Sequence, residues 1–147
     1  MNIEIERKFL LDEIPDIWPV PFTDTRITQI YLTPRAPKTT ERVRARSNVD
    51  GTDVEFTHTV KVRIAAGVHE ETEEVITESE WEAYLQQMLP ATAPILKRRR
   101  VFHWERYTFE LDSFTGRHDG LHILEVELPT MSAPLPLPPF LAIRREV

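Results

Sequence analysis

Residues 2–10 read Asn-Ile-Glu-Ile-Glu-Arg-Lys-Phe-Leu, a run in which charged and apolar side chains alternate. Side chains of a β-strand point alternately to its two faces, so Glu4, Glu6 and Lys8 share one face and the isoleucines lie on the other. One such strand is typical of a solvated sheet edge. The more informative feature is recurrence, because most later strand-like segments carry charged residues at the same spacing.

Length and composition indicate one soluble globular domain that spans residues 1–147. Hydrophobic residues make up 41% of the chain and charged residues 29%, which is ordinary for such a protein. The absence of cysteine excludes disulfide bonds and thiolate metal sites. Glu4 and Glu6 interrupt the early apolar stretch, and no segment approaches the roughly 20 apolar residues of a membrane helix. We therefore expect a cytoplasmic protein with no membrane contact.

The charge balance limits the possible partners. A net charge of −6 disfavours non-specific nucleic-acid binding, which depends on a basic surface, so we expect no nucleic-acid partner. No pair of histidines has the helical spacing of a zinc motif. We interpret all five as surface or packing residues: His58, His69, His103, His118 and His122. The sequence leaves a monomer and a homodimer equally open.

Period-two patterns predict eight strands, most of them joined by links of hairpin length. Turn residues such as Asp50-Gly51 separate neighbouring runs, so most adjacent strands should be antiparallel. The predicted strands lie near 2–10, 26–33, 40–48, 54–64, 69–77, 95–103, 106–113 and 121–128.

The remaining segments predict little helix. Thr77 and Glu80 have the spacing of a capping box, and Pro90 should end the helix that follows. Its apolar residues recur at helical period and should pack against the sheet: Trp81, Tyr84, Leu85 and Met88. A second, shorter helix is predicted around Asp12–Trp18. Five prolines within residues 129–139 predict an extended segment that crosses the surface.

The charged residues form sets that are mostly all acidic or all basic within one strand, whereas a solubilising face usually mixes the two signs. These sets are Glu4, Glu6 and Lys8; Arg42, Arg44 and Arg46; Lys61 and Arg63; Glu71 and Glu73; Lys97 and Arg99; Glu110 and Asp112; Glu125 and Glu127. An open sheet with one solvated face would explain any single strand. Eight such strands can instead close into a barrel, which removes the sheet edges and turns the charged face inward around a polar cavity.

A cavity lined by many carboxylates and a similar number of bases needs compensating ligands, because burying unpaired charge is costly. Arginine and lysine bind phosphate oxygens, and carboxylates bind hard divalent cations such as Mg²⁺ or Mn²⁺. A metal-bridged polyphosphate satisfies both sets of side chains. The pattern therefore points to a small-molecule polyphosphate as ligand.

The order of these motifs resembles the CYTH domain family, the triphosphate tunnel metalloenzymes, and most closely its short bacterial members. Glu4-x-Glu6-x-Lys8 resembles the family's signature motif. Further elements follow in order through nearly the whole chain: Tyr31-Leu32, Val43-Arg44-Ala45-Arg46, Thr59-Val60-Lys61, Glu71-Thr72-Glu73, Lys97-Arg98-Arg99, Phe109 to Phe114, and Gly120 to Pro129.

The resemblance implies an α+β, mainly β fold: a closed, eight-stranded antiparallel barrel, or tunnel, with a few flanking helices. It also implies a divalent-metal-dependent triphosphatase with Mg²⁺ or Mn²⁺ as cofactor. The substrate would be tripolyphosphate, thiamine triphosphate or a nucleoside triphosphate, with tripolyphosphate expected to be the best. Class IV adenylyl cyclase and a non-catalytic polyphosphate or nucleotide binder remain the alternatives.

The resemblance assigns each charged set a role. Substrate-binding residues would be Lys8, Arg44, Arg46, Lys61, Lys97 and Arg99. Metal ligands would come from Glu4, Glu6, Glu71, Glu73, Asp112, Glu125 and Glu127, whereas Glu110 could instead pair with a base. Lys8 and Tyr31 are the catalytic candidates, as residues that assist water activation, and Tyr31 could equally be a wall residue that packs in the tunnel.

Two features depart from the family pattern. The third strand has three arginines, so the phosphate-binding pair could be Arg42 with Arg44 or Arg44 with Arg46, and the local pattern favours the second. Family members also usually continue into a C-terminal helical segment that closes one tunnel end. This sequence ends at Val147, so either that closure is missing, with one mouth wider, or the sequence is a piece of a longer chain.

Overall fold

The eight predicted strands are all present in the computed structural model, which describes residues 2–147. The elements are β1 (Ile3–Leu11), β2 (Phe22–Leu32), β3 (Thr39–Asn48), β4 (Glu55–Ala65), β5 (Val68–Ile76), α1 (Glu78–Leu85), β6 (Ile95–Trp104), β7 (Tyr107–Phe114), β8 (His122–Glu127) and β9 (Ile143–Glu146). A short 3₁₀ helix, Gly116–His118, lies between β7 and β8. The largest boundary difference is at β2, which begins at Phe22 instead of 26.

The strands close into the predicted antiparallel barrel. Their order is β5-β4-β3-β2-β6-β7-β8-β1, and β1 returns to β5 through pairs such as Ile3 with Glu70. All of these pairings are antiparallel, as the short links require. The fold is therefore α+β and mainly β, as expected.

The ninth strand was not predicted. β9 pairs with the second half of β1, where Phe9 faces Glu146 across the two strands. The same edge of β1 pairs with β5 through its first half, so two different strands share that edge. Between them, the Glu6 amide donates to the Gly67 carbonyl and the Val147 amide donates to the Lys8 carbonyl. The segment after β8 thus returns to the barrel wall.

The apolar core lies outside the barrel, because the inward face of each strand is largely polar. A large outer cluster covers β1, β6, β7 and β8; its buried members are Phe9, Leu11, Phe102, Tyr107, Phe109, Leu111, Leu124, Val126, Leu128 and Leu141. A small outer cluster covers β2, β3 and the end of β5; its buried members are Ile30, Leu32, Val43 and Ile76. Folding stability therefore depends on side chains that point away from the cavity.

Helix α1 covers the small outer cluster and begins as predicted. The Thr77 hydroxyl accepts from the Glu80 amide while the Glu80 carboxylate accepts from the Thr77 amide, which completes the capping box. Trp81, Tyr84 and Leu85 pack against the small outer cluster, as expected. The prediction is wrong for Met88, which lies beyond the end of the helix and is 37% exposed. The helix ends at Leu85, ahead of Pro90.

The prediction of a second helix around Asp12–Trp18 is wrong, because residues 12–21 contain no helix. Pro15 and Pro19 remove backbone donors there, and Trp18 packs instead against Phe102 at 5.5 Å between ring centroids. Residues 129–139 contain neither helix nor strand, as expected for the proline-rich segment. Within residues 2–147, no helix combines the length and apolar character needed to span a membrane.

Candidate functional site: a bipolar cavity inside the barrel

All eight barrel strands contribute side chains to one cavity of about 350 Å³. Seven bases line it: Lys8, Arg42, Arg44, Arg46, Lys61, Lys97 and Arg99. Seven acids line it as well: Glu4, Glu6, Glu71, Glu73, Glu110, Asp112 and Glu125. Every residue that the sequence placed in the site lines this cavity except Glu127, which is exposed and pairs with Glu6 across β8 and β1. No histidine belongs to the cavity lining.

The charges divide the cavity into two halves. The basic half, formed by neighbouring strands β2, β3, β6 and β7, carries Arg42, Arg44, Arg46, Lys97 and Arg99 against two acids, Glu110 and Asp112. The acidic half, formed by β8, β1, β5 and β4, carries Glu4, Glu6, Glu71, Glu73 and Glu125 against two bases, Lys8 and Lys61. The lining is formally neutral but strongly polarised across its width.

Asp112 lies in the basic half and binds two of its cations. Arg99 Nε donates to Asp112 Oδ1 at 2.7 Å, and Lys97 Nζ lies 2.8 Å from Asp112 Oδ2. Burial opposes the charge of Asp112, but these bases lower its pKa to about 2. Arg99 also donates to Glu110 at 2.7 Å, so Glu110 pairs with a base, the alternative allowed for it. Asp112, expected among the metal ligands, has both oxygens engaged by bases.

Lys97 is held in a setting that disfavours its charge. Burial, with repulsion from Arg44 and Arg99, lowers the pKa of Lys97 to about 8 despite the attraction of Asp112. Three apolar side chains line the wall beside it: Ile95, Phe114 and Ile123. Burial and the charges of Arg42 and Arg99 likewise lower the pKa of Arg44 to about 10. An anion bound here would stabilise the charged forms of both Lys97 and Arg44.

The three arginines of β3 form an arginine row: Arg42, Arg44 and Arg46. All three line the cavity, and none of them forms an ion pair within the described chain, residues 2–147. Arg44 Nε donates to Gln29 Oε1 at 3.0 Å, and Gln29 Nε2 donates to Tyr31 Oη at 3.0 Å. The sequence offered two candidate pairs, Arg42 with Arg44 and Arg44 with Arg46, and in the structure all three arginines face the cavity.

The acidic half is partly neutralised by its own lysines. Lys8 Nζ lies 3.5 Å from Glu6 and 3.6 Å from Glu125. Lys61 Nζ lies 3.6 Å from both Glu6 and Glu71. Burial alone would raise the pKa of Glu6, but Lys61 and Lys8 bring it below its ordinary value. Burial likewise opposes the charge of Lys8, yet Glu125 and Glu6 raise its pKa, so Lys8 is a stable cation.

Glu4 and Glu73 are the two acids of the cavity that form no ion pair in the described chain, residues 2–147. Burial raises the pKa of Glu4, and the neighbouring carboxylates Glu6 and Glu127 add to the rise, against the opposing charges of Lys61 and Arg42. Glu127 faces Glu6 directly across β8 and β1. Glu73 lies further along β5 and accepts from the Thr59 hydroxyl at 2.8 Å. The strongest demand for positive charge is therefore at Glu4.

Sequence reasoning missed two features of the cavity. Gln29 is buried and links Arg44 to Tyr31, and its period-two spacing from Tyr31 was the only signal for its inward position. The apolar patch of Ile95, Phe114 and Ile123 carried no charge pattern and so gave no signal at all. Within residues 2–147, no group of three acidic or histidine side chains is close enough to enclose a metal ion unaided.

Comparisons with known proteins agree with this architecture. The crystal structure of the inorganic triphosphatase NE1496 matches with 28% sequence identity and a TM-score of 0.60, covering 99% of this chain and 87% of that one. HpAC1 from Hippeastrum, whose description reports a dominant triphosphatase activity, has 17% identity and a TM-score of 0.58, covering 86% and 80% of the two chains. A chain of the Schizosaccharomyces pombe Mediator head module has a TM-score of 0.58 at 8% identity, with coverage of 90% and 86%.

The two likenesses below 25% identity show the fold alone, and a fold does not by itself determine an activity. No curated protein matches the sequence significantly. The family assignment has separate support, because the CYTH domain matches residues 2–138, most of the chain. The motifs, the barrel and this match lead to one conclusion: the chain belongs to the CYTH domain family.

Proposed function

We propose that this protein is a divalent-metal-dependent triphosphatase that releases the terminal phosphate of inorganic tripolyphosphate. The observation that carries the proposal is the arginine row, whose three guanidinium groups face a cavity without any carboxylate partner in the described chain. Buried cations without a counter-charge are costly, and a chain of phosphates would supply that charge. The neighbour NE1496, named as an inorganic triphosphatase, supports the same chemistry.

The basic half would hold the phosphate chain. Arg44 and Arg46 extend from the row, and Lys97 and Arg99 meet them from β6. Arginine binds phosphate oxygens through pairs of parallel donors, which fixes orientation as well as charge. Asp112 would act here as a positioning residue that holds Arg99 and Lys97 in place. Lys61 would approach the chain from the acidic half.

The acidic half fits a divalent cation that is completed by substrate. Mg²⁺ commonly uses one or two protein carboxylates together with substrate phosphates and water, and seldom a cage built from protein alone. Glu4 and Glu6 suit that arrangement, because Glu4 has no close base and the buried Oε1 of Glu6 is approached by Lys8 and Lys61 only at 3.5 and 3.6 Å, without a hydrogen bond. The remaining acids of this half would supply further oxygens, directly or through water: Glu71, Glu73 and Glu125.

Phosphoryl transfer needs positioning and charge neutralisation more than covalent help. When bound, the metal would supply Lewis acidity toward phosphate oxygens and acidify nearby water. Lys8 is held as a cation by Glu6 and Glu125, so it would stabilise negative charge at the reacting phosphate and would not accept a proton. Tyr31 would orient water or a phosphate oxygen through its hydroxyl, which Gln29 holds in place.

The size and lining of the cavity favour a small inorganic substrate. Its volume is about 350 Å³, and fourteen charged side chains lie on its wall. Among the described residues of the lining, the aliphatic and phenyl side chains are those of Ile95, Phe114 and Ile123, and the Phe114 ring centroid lies 5.5 Å from Lys97 Nζ. We therefore expect tripolyphosphate to be hydrolysed faster than thiamine triphosphate or nucleoside triphosphates, with little or no cyclic AMP formed.

The test is phosphate release from tripolyphosphate, thiamine triphosphate and ATP, each with Mg²⁺, with Mn²⁺ and with excess chelator. We expect turnover of tripolyphosphate with metal and almost none with chelator. Arg46→Gln should weaken substrate binding, and Arg26→Gln, an exposed arginine outside the cavity, is the matched control that should leave it unchanged.

Three results would contradict the proposal. Undiminished release in chelator would remove the metal from the mechanism. Binding of tripolyphosphate without turnover under every metal condition would favour a non-catalytic binder. Cyclic AMP as the main product from ATP would assign the protein to the cyclase activity.

A further inference from the structure

The buried amide of Gln29 joins the basic half of the cavity to the Tyr31 hydroxyl. Gln29 is 3% exposed and is the direct cross-strand partner of Arg44. Its Oε1 accepts from Arg44 Nε, and its Nε2 donates to Tyr31 Oη, both at 3.0 Å. The amide therefore uses its acceptor on one side and its donor on the other.

The chemistry of Arg44 decides which way this amide points. A guanidinium group has hydrogen-bond donors and no acceptor, so the atom of Gln29 that faces Arg44 Nε must be the carbonyl oxygen. A reversed amide would set two donors against each other. The amino group must then face Tyr31, where the hydroxyl oxygen accepts from it. The proton of the Tyr31 hydroxyl therefore has to point in another direction.

The cavity is the place where that proton can find an acceptor. Tyr31 lines the cavity, and within residues 2–147 its hydroxyl has no hydrogen bond besides the one from Gln29. The hydroxyl also lies within electrostatic range of the acidic half. Burial opposes the charge of Lys8, whereas Glu125, Glu6 and then Tyr31 raise the pKa of that lysine. Tyr31 thus presents a hydroxyl proton between Arg44 and Lys8.

We infer that Gln29 is a positioning residue that turns the Tyr31 hydroxyl proton into the cavity, so that Tyr31 donates a hydrogen bond to a phosphate oxygen of the substrate. This inference rests on the proposed function and deepens it, because it gives the hydroxyl a direction and one acceptor. A fixed donor of this kind stabilises negative charge that develops during the reaction. Accepting a proton from the attacking water is not its role, since its oxygen already accepts from Gln29.

Gln29→Glu tests the inference because it keeps the shape of the side chain and removes its donor. The carboxylate still accepts from Arg44, but it also accepts from the Tyr31 hydroxyl and so turns that proton away from the cavity. Phosphate release from tripolyphosphate is compared in the wild type, Gln29→Glu, Tyr31→Phe and the double variant. We expect kcat to fall roughly tenfold or more in each single variant. The double variant should lose no more than Gln29→Glu alone.

The double variant separates positioning from a general effect of the new charge. A negative charge in the basic half would raise KM, but it would leave the loss caused by Tyr31→Phe equal in both backgrounds. The uncharged Gln29→Met lets the hydroxyl turn freely, so its kcat should lie between those of the wild type and Gln29→Glu. Gln87→Glu, at an exposed position outside the cavity, is the matched control and should leave kcat and KM unchanged.

Urea unfolding shows whether the loss of kcat is structural. Gln29→Glu should be at least as stable as the wild type, because its carboxylate gives the buried Arg44 a counter-charge. If Gln29→Glu does not fold, Gln29→Met decides, and Tyr31→Phe must cost less in that background than in the wild type. Equal losses from Tyr31→Phe in every background, or none in the wild type, would overturn the role of Gln29. A wild type that releases no phosphate from tripolyphosphate would instead contradict the proposed function.

Discussion

The Arg99 guanidinium and the Asp112 carboxylate form two parallel hydrogen bonds, from Nε to Oδ1 at 2.7 Å and from Nη2 to Oδ2 at 2.9 Å. The two residues are direct cross-strand partners on β6 and β7, and Asp112 is only 1% exposed. Lys97 approaches the same carboxylate at 2.8 Å. One buried acid therefore fixes the position of two phosphate-binding candidates, and its removal should affect both folding and function.

Asp112→Asn should be strongly destabilising. The amide cannot neutralise Arg99 and Lys97, which would remain buried beside Arg44. Breaking a buried ion pair from one side costs about 3–5 kcal/mol, and we expect a loss of that size in urea unfolding. Glu82→Gln, at an exposed position of α1, is the control and should change little. Equal stability of the two variants would mean that Asp112 does not hold the bases.

Stability of the ligand-free protein should rise as the pH increases from about 8 toward 9.5. The folded pKa of Lys97 is about 8, and its ordinary value is 10.5, so the unfolded chain binds more protons in this range. Deprotonation then favours the folded state. Thermal unfolding of the wild type and of Lys97→Met should be compared across this range. The rise should be smaller in Lys97→Met, and parallel pH curves would show that burial does not depress this pKa.

Glu4→Gln should separate metal activation from folding. Burial raises the pKa of Glu4 and carboxylates surround it, so the neutral amide should leave the ligand-free protein as stable as before or slightly more stable. The metal concentration for half-maximal activity should increase roughly tenfold or more, and kcat should fall. Metal titration of phosphate release measures both. Glu70→Gln, on the outer face of β5, is the control; an identical titration for Glu4→Gln would exclude Glu4 as a ligand.

Thr77→Ala should destabilise the protein without altering its chemistry. Loss of the capping box costs about 1 kcal/mol, measured by urea unfolding. Because α1 packs on the outer surface and contributes no residue to the cavity, kcat and KM should match the wild type. Ser79→Ala, in the first turn of α1 but outside the capping box, should keep wild-type stability. A fall in kcat for Thr77→Ala would reveal coupling between α1 and the cavity.

Alternation of side chains was sufficient to predict the barrel and the inward face of its strands. Glu4, Glu6 and Lys8 point inward while Phe9 and Leu11 join the large outer cluster, as period two requires. Alternation could not predict which base pairs with which acid, because that depends on the register between neighbouring strands. Asp112 was therefore grouped with the metal ligands, although its cross-strand neighbour is Arg99.

Tertiary contacts determine the conformation of the two segments that were predicted poorly from the sequence. Ile143–Glu146 is too short to stand out, and it becomes a strand because the second half of β1 offers it unpaired backbone groups. Trp18 lies in the segment predicted as a helix, yet tilted and edge-on packing against Phe22 and Phe102 determines its position. The free edge of β1 and the packing site of Trp18 both exist only after the barrel has formed.

The pairing of β1 with both β8 and β9 has a consequence for the order of folding. Within residues 2–147, β1 precedes both of these partners and lies far from them along the sequence: Lys8 pairs with Glu125 and Phe9 with Glu146. Contacts between distant parts of a chain form slowly, because the loop between them must first be ordered. During synthesis, β2 to β7 can pair with their neighbours while β1 lacks β8 and β9. Enclosure of the cavity is therefore expected to come after the pairing of β2 to β7 during synthesis.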